Sequence, residues 1–241
     1  MIAHDSGASA DVIMAGLKDA FENGNTKGVV LRINSPGGSP VQAGQINAEI
    51  RRLRAKHKDI PFYVVVDDVC ASGGYFVAAA VEKIFVDKAS LVGSIGVLMD
   101  GFGFTGAMEK VGVERRLLTA GEHKGFLDPF SPRNPADEAF IKTMLGEIHQ
   151  QFIQVVREGR GNRLKEDKDT FSGLIWSGER SIAMGLADAI GSVTTVARDV
   201  IKAEDIVDFT PSESVIERLA KRFGVGVGNS VANQIRSMAL Q

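Results

Sequence analysis

The chain has 241 residues, 44% hydrophobic and 24% charged, the balance of an ordinary globular protein rather than a disordered chain. Its 28 Lys and Arg against 30 Asp and Glu leave a formal net charge of −2, so nothing draws a polyanion and no nucleic-acid partner is expected. Cys70 is the only cysteine and the four histidines (His4, His57, His123, His149) carry no ligand spacing, which excludes an intramolecular disulfide and a thiolate metal cluster and argues against zinc. No apolar run approaches the about 18 residues that span a bilayer, and the N-terminus lacks the charged region and apolar core of an export signal.

In chain order, Ala10 to Asn23 reads as an amphipathic helix with Ile13, Leu17, Ala20 and Phe21 on one face. Gly28 to Asn34 is a short apolar strand, Ser35 to Pro40 a turn, and Val41 to Lys58 a helix with proline at its start. Phe62 to Val66 is a second strand, Tyr75 to Val81 a helix after Cys70–Gly74, and Lys83 to Asp87 a third strand. Leu91 to Leu98 is apolar but bent by Gly93 and Gly96. A short helix is predicted for Thr105–Val111, a strand for Glu114–Leu118 and a loop for Thr119–Arg133. Long and short helices follow at Pro135–Arg157 and Gly178–Gly185. Ala187–Gly191 then leads to Val193–Ala197, and a charged helix is predicted at Val215–Phe223. Strand, glycine turn, helix, strand is the rhythm of parallel βαβ units, and the wholly apolar strands predict a sheet covered by helices on both faces. The expected division is an α/β core over residues 1–204 and a C-terminal helical tail over 205–241.

Two glycine turns lie where a strand gives way to a helix, the place where ligands sit in open α/β sheets. In Asn34-Ser35-Pro36-Gly37-Gly38 the paired glycines permit positive φ and close backbone approach, so their N–H groups can face one oxygen. The same pair also reads as a plain tight turn, and it is not a dinucleotide fingerprint, because no GxGxxG opens the helix that follows it. In Ala71-Ser72-Gly73-Gly74 the serine precedes free N–H groups at a helix start, which favour an oxyanion. Serine is equally a common helix N-cap. Cys70 follows an apolar strand and reads as buried and inert. A nucleophilic serine needs a base, and no local motif supplies a histidine; His123 reads as a surface residue. Lysine can serve when withdrawn from water, which favours the neutral amine, and Lys124 lies among glycines and apolar residues in Thr119–Phe130. Alone, it also reads as a solvated charge.

Taken together and in order, Arg32-Ile-Asn-Ser-Pro-Gly-Gly38, Ala71-Ser-Gly-Gly-Tyr75, Val92-Gly-Ser-Ile-Gly-Val97 and Gly121-Glu-His-Lys124 closely resemble the SppA family of signal peptide peptidases. Those are Ser–Lys serine proteases of the ClpP/crotonase fold, and Ile175–Asp188 also looks like that superfamily, with Gly185 allowing close helix approach. The resemblance implies Ser72 as nucleophile, Lys124 as general base and Ser94 as the serine that orients the lysine. It places the oxyanion hole at the backbone N–H groups of Gly38 and Gly73, with Gly37 the less secure member of its pair. It implies hydrolysis of extended apolar peptides such as cleaved signal peptides through an acyl-enzyme, with no metal or organic cofactor. It further implies a homo-oligomer whose active sites lie at subunit interfaces. The family's N-terminal membrane anchor and first strand have no counterpart in this sequence. A parent protein would thus be held in the bacterial inner membrane by a segment absent from this chain, with its site on the extracytoplasmic side. Two rival readings share the fold: a crotonase-type acyl-CoA enzyme, which needs no Ser72–Lys124 pair, and an inactive scaffold for membrane complexes.

Overall fold

In the computed structural model, which describes residues 1–4 and 6–211, the first element is α1 (Ala10–Glu22). The Ser9 hydroxyl starts it by accepting the Val12 N–H, and Leu17, Ala20 and Phe21 are buried on one face. β1 (Val29–Ser35) follows, then α2 (Pro40–Lys56), with proline in the first turn and the Ser39 hydroxyl accepting the Gln42 N–H.

β2 (Phe62–Ala71) is the axis of the sheet and runs well past the apolar stretch that ends at Val66. Its charged middle is tolerated because β1 answers it. Arg32 Nε donates to Asp67 at 2.6 Å, and the Asn34 amide donates to Asp68 at 2.8 Å while accepting the Val69 N–H at 3.3 Å. The register steps there from Ile33–Val66 to Ser35–Cys70, a bulge that re-aims the last turn of the strand. β1 lies along one side of β2. On the other side β3 (Lys83–Val86) pairs with Tyr63–Val65 and β4 (Leu91–Gly93) pairs with Val69–Ala71, all parallel. β5 (Ile175–Ser177) adds antiparallel to β4, and β6 (Ala189–Ile190) parallel to β3.

The fold is α/β with helices on both faces of this sheet. Phe62, Val64, Val66, Ile84 and Val86 are buried beneath α1, α2 and α3 (Gly73–Ala78), with Phe21 edge-on to Phe62 at 5.4 Å. Tyr63, Val65 and Phe85 face the opposite way and are covered by Val193, Val196 and Ile201. These last belong to the helical turn α7 (Val193–Thr195) and the π-turn that continues it.

α5 (Pro135–Arg160) ends in a fully buried guanidinium. Arg160 Nε donates to Gly185 O and its Nη2 to Asp188, each at 2.8 Å, while Asp188 also accepts the Ile84 N–H at 2.7 Å. Burial pushes the Asp188 carboxyl up, but the hydrogen bond and charge of Arg160 outweigh it and hold the group below the usual value. The Tyr75 hydroxyl donates to Leu186 O at 2.8 Å, which ties α3 to the same segment. α6 (Gly178–Ala183) precedes Gly185, where φ is +76° and a Cβ would meet Arg163 O at 1.8 Å, so only glycine fits this approach. Met1–Val207 forms one compact unit; the helix expected at Val215–Phe223 lies outside the described residues.

Residues 98–140 contain no buried residue, although α4 (Thr105–Lys110) forms where the sequence predicts a helix. The strand expected at Glu114–Leu118 does not form. A strand needs a neighbour for its backbone groups, and among the described residues none pairs with this stretch, whose Leu118 is 96% exposed.

Candidate active site

Ser72 stands between the last residue of β2 and the first of α3, half-buried, with φ +50° and ψ −123°. That conformation favours glycine and is strained for serine, as at the strand-to-helix turns that thrust a nucleophile outward. It is held by two backbone bonds, the Ser72 N–H to Gly93 O and the Phe76 N–H to Ser72 O, each at 2.9 Å. The hydroxyl makes no capping bond, so the N-cap reading of Ser72 falls: at positive φ the side chain does not accept from the first turn.

The Gly37–Gly38 turn packs directly against it. A Cβ on Gly37 would lie 2.7 Å from Ser72 Cβ, 3.1 Å from Ser72 Oγ and 3.0 Å from the Gly73 nitrogen, and φ there is +117°. A Cβ on Gly73 would in turn lie 3.3 Å from the Gly38 nitrogen. The two amide nitrogens therefore border one small space beside Ser72. Neither N–H is taken by a described residue, whereas the Gly37 N–H donates to Ser35 Oγ at 3.2 Å. Of the two glycines in the pair, Gly38 is thus the one with a free donor. Ser35 was not singled out in the sequence; its buried hydroxyl braces the loop.

Ser94 reaches the same end of the sheet by register: Ala71 pairs with Gly93, so Ser72 and Ser94 follow one another on neighbouring parallel strands. Ser94 also has φ +50°, and its N–H donates to Leu174 O at 2.7 Å. Cys70 is wholly buried, and burial pushes its thiol up, out of the range in which it would ionise.

Lys124 is exposed, in a loop of turns where its own N–H donates to Gly121 O. No hydrogen bond or ion pair joins it to Ser72 or Ser94, so the withdrawal from water expected for this lysine is not provided by the described residues. The apolar residues around it are themselves exposed and build no enclosure. His123 is also exposed, with Nδ1 2.8 Å from an Asp137 carboxylate oxygen. Among the described residues no helix is long and apolar enough to cross a membrane.

Comparison with known sequences gives this arrangement a context. The sequence model of peptidase family S49 matches residues 54–206, the stretch that holds Ser72, Ser94 and Lys124. The chain is 40% identical, over 91% of its length, to a Brucella melitensis protein named Na(+)/H(+) antiporter NhaA, covering 30% of that protein. It is 31% identical, over 82% of its length, to a putative signal peptide peptidase SppA of Enterococcus faecium, covering 57% of that protein. It thus spans well under two thirds of each. A solved chain of a ClpP1 mutant from Listeria monocytogenes superposes with a TM-score of 0.47 at 16% identity, over 76% of this chain and 84% of that one.

Proposed function

The chain belongs to peptidase family S49, and from that premise we propose that it is a serine endopeptidase with a Ser72–Lys124 dyad. The single observation that carries this reading is Ser72 itself, strained at a strand-to-helix turn against two unengaged glycine N–H groups. Ser72 Oγ attacks the scissile carbonyl, and its proton passes to the neutral Lys124 amine. The oxyanion that forms is met by the Gly38 and Gly73 N–H groups, a contribution of about 3–4 kcal/mol per donor in comparable enzymes. As the C–N bond breaks, Lys124 gives the proton to the leaving amine; it then deprotonates the water that cleaves the Ser72 ester. Ser94 orients the lysine.

The exposure of Lys124 favours a base delivered to Ser72 by a second copy of the chain. The same segment offers the apolar surface such a contact needs, with Leu98, Phe102, Val111, Leu118, Phe126 and Phe130 all exposed. The substrates that suit an apolar, strand-edged site are extended hydrophobic peptides, and the name of the Enterococcus relative points to signal peptides. On this reading the whole protein acts at the outer side of a bacterial inner membrane.

The test is covalent labelling by a serine-directed phosphonate, with cleavage of a hydrophobic peptide followed in parallel. Labelling on Ser72, lost in Ser72→Ala, supports the reading. An unlabelled wild type, or peptide cleavage that survives Ser72→Ala, overturns it.

A further inference from the structure

Ser94 keeps a left-handed backbone conformation that a non-glycine residue adopts only when its surroundings impose it. Three contacts impose it here. The Ser94 N–H is fixed to Leu174 O at 2.7 Å, and the Gly96 N–H closes back on Ser94 O at 2.9 Å. The third comes from α5: His149 Nε2 lies 3.1 Å from the carbonyl oxygen of Ile95, the residue at the centre of this tight turn. A carbonyl can only accept, so Nε2 carries the proton and donates it. The Ile95 side chain is wholly buried, so the turn is anchored inward by packing and outward by this one imidazole.

We infer that His149 is a positioning residue of the peptidase site, holding the Ser94 turn against the end of β2 through its hydrogen bond to Ile95 O. This rests on the reading of Ser94 as the residue that orients Lys124. His149 touches neither Ser72 nor Lys124 by any hydrogen bond, so its effect passes through the turn alone. It is separate from the base question: His149 bonds to Ile95 O, whereas solvent-exposed His123 bonds to Asp137.

The experiment uses the full chain and a peptide substrate, with His149→Leu, His149→Asn and His149→Gln made in the wild-type and Ser94→Ala backgrounds. Glutamine carries an N–H donor out to the place of Nε2; asparagine is polar but too short to reach. Leucine and asparagine should lower kcat about ten- to a hundredfold with KM within about twofold, as displaced catalytic geometry does, and glutamine should restore most of the rate. In the Ser94→Ala background, the same substitutions should lower kcat no further, although any change in Tm persists. A residue that merely stabilises α5 would cost the same in both backgrounds, and that result overturns the proposal. So does an asparagine variant with the kcat of wild type, which covers the case of a leucine variant that fails to fold. If Ser94→Ala alone leaves kcat unchanged, the role of Ser94 fails and this proposal with it. If Ser72→Ala remains active, the peptidase reading itself has failed, which the labelling experiment shows separately.

Discussion

At Ser72 the chain holds a serine in a strained backbone conformation. A serine at φ +50° and ψ −123° costs on the order of 1 kcal/mol or more relative to glycine, which has no Cβ to clash. Ser72→Gly is therefore expected to be inactive yet more stable than Ser72→Ala by about 1 kcal/mol, read from urea midpoints. Equal stability of the two would mean that the turn is not strained. For activity, Ser72→Ala should lose about four or more powers of ten in kcat, as removal of a nucleophile does elsewhere. The base can be assigned at the same scale. His123 is already engaged by Asp137 at the surface, so His123→Ala should change the rate only severalfold, while Lys124→Ala should match Ser72→Ala. The reverse pattern, with Lys124→Ala near wild type and His123→Ala dead, would refute the Ser–Lys dyad for this chain.

At the scale of elements, close backbone approach brings the Gly37–Gly38 turn against Ser72, and a buried ion pair ties α5 to the sheet. Gly37 tolerates no side chain, since φ is +117° and a Cβ would strike Ser72 Cβ at 2.7 Å. Gly37→Ala should push the two turns apart and lower kcat about a hundredfold or more, the cost of losing an oxyanion donor's placement. If Gly37→Ala keeps its rate, the Gly38 N–H does not serve the oxyanion. Farther from the chemistry, the Arg160–Asp188 pair joins α5 to β3 and to the segment that anchors Tyr75. Asp188→Ala would leave Arg160 buried without its partner, at about 3–5 kcal/mol. The pH dependence has a definite sign. Because the folded state lowers the Asp188 carboxyl below its ordinary 3.8, its stabilisation is full above that value and is lost as pH falls through the lower, folded one. The gap in stability between wild type and Asp188→Asn should then be wide at pH 7 and narrow progressively as pH falls below 3.8. A gap independent of pH would show that the pair contributes no charge-dependent stability.

On the scale of the whole molecule, the apolar segment over residues 98–140 is exposed in the single chain and carries Lys124. A second copy that covered it would bury that surface and could bring the lysine to a neighbour's Ser72. The expected outcome is activity by complementation. Ser72→Ala and Lys124→Ala proteins, each inactive alone, should regain partial activity when mixed under conditions of subunit exchange. Mixing followed by native mass spectrometry shows whether exchange took place. Demonstrated exchange without recovered cleavage would place Ser72 and Lys124 of one site in the same subunit.

The sequence by itself determined what local chemistry dictates. Periodicity and turn residues marked α1, β1, α2, β3 and α5 within a few residues, and the glycine pairs marked the two turns that meet around Ser72. Strand length and pairing were not local matters. β2 continues through Asp67 and Asp68 only because Arg32 and Asn34 answer them from the neighbouring strand, and Glu114–Leu118 forms no strand because no described neighbour answers it. Register alone sets Ser94 beside Ser72, and only the path of α5 brings His149 to Ile95, 54 positions earlier. For Lys124 the sequence offered both a withdrawn amine and a solvated charge, and only the tertiary structure decided between them: burial depends on which surfaces close over a loop, and among the described residues none does.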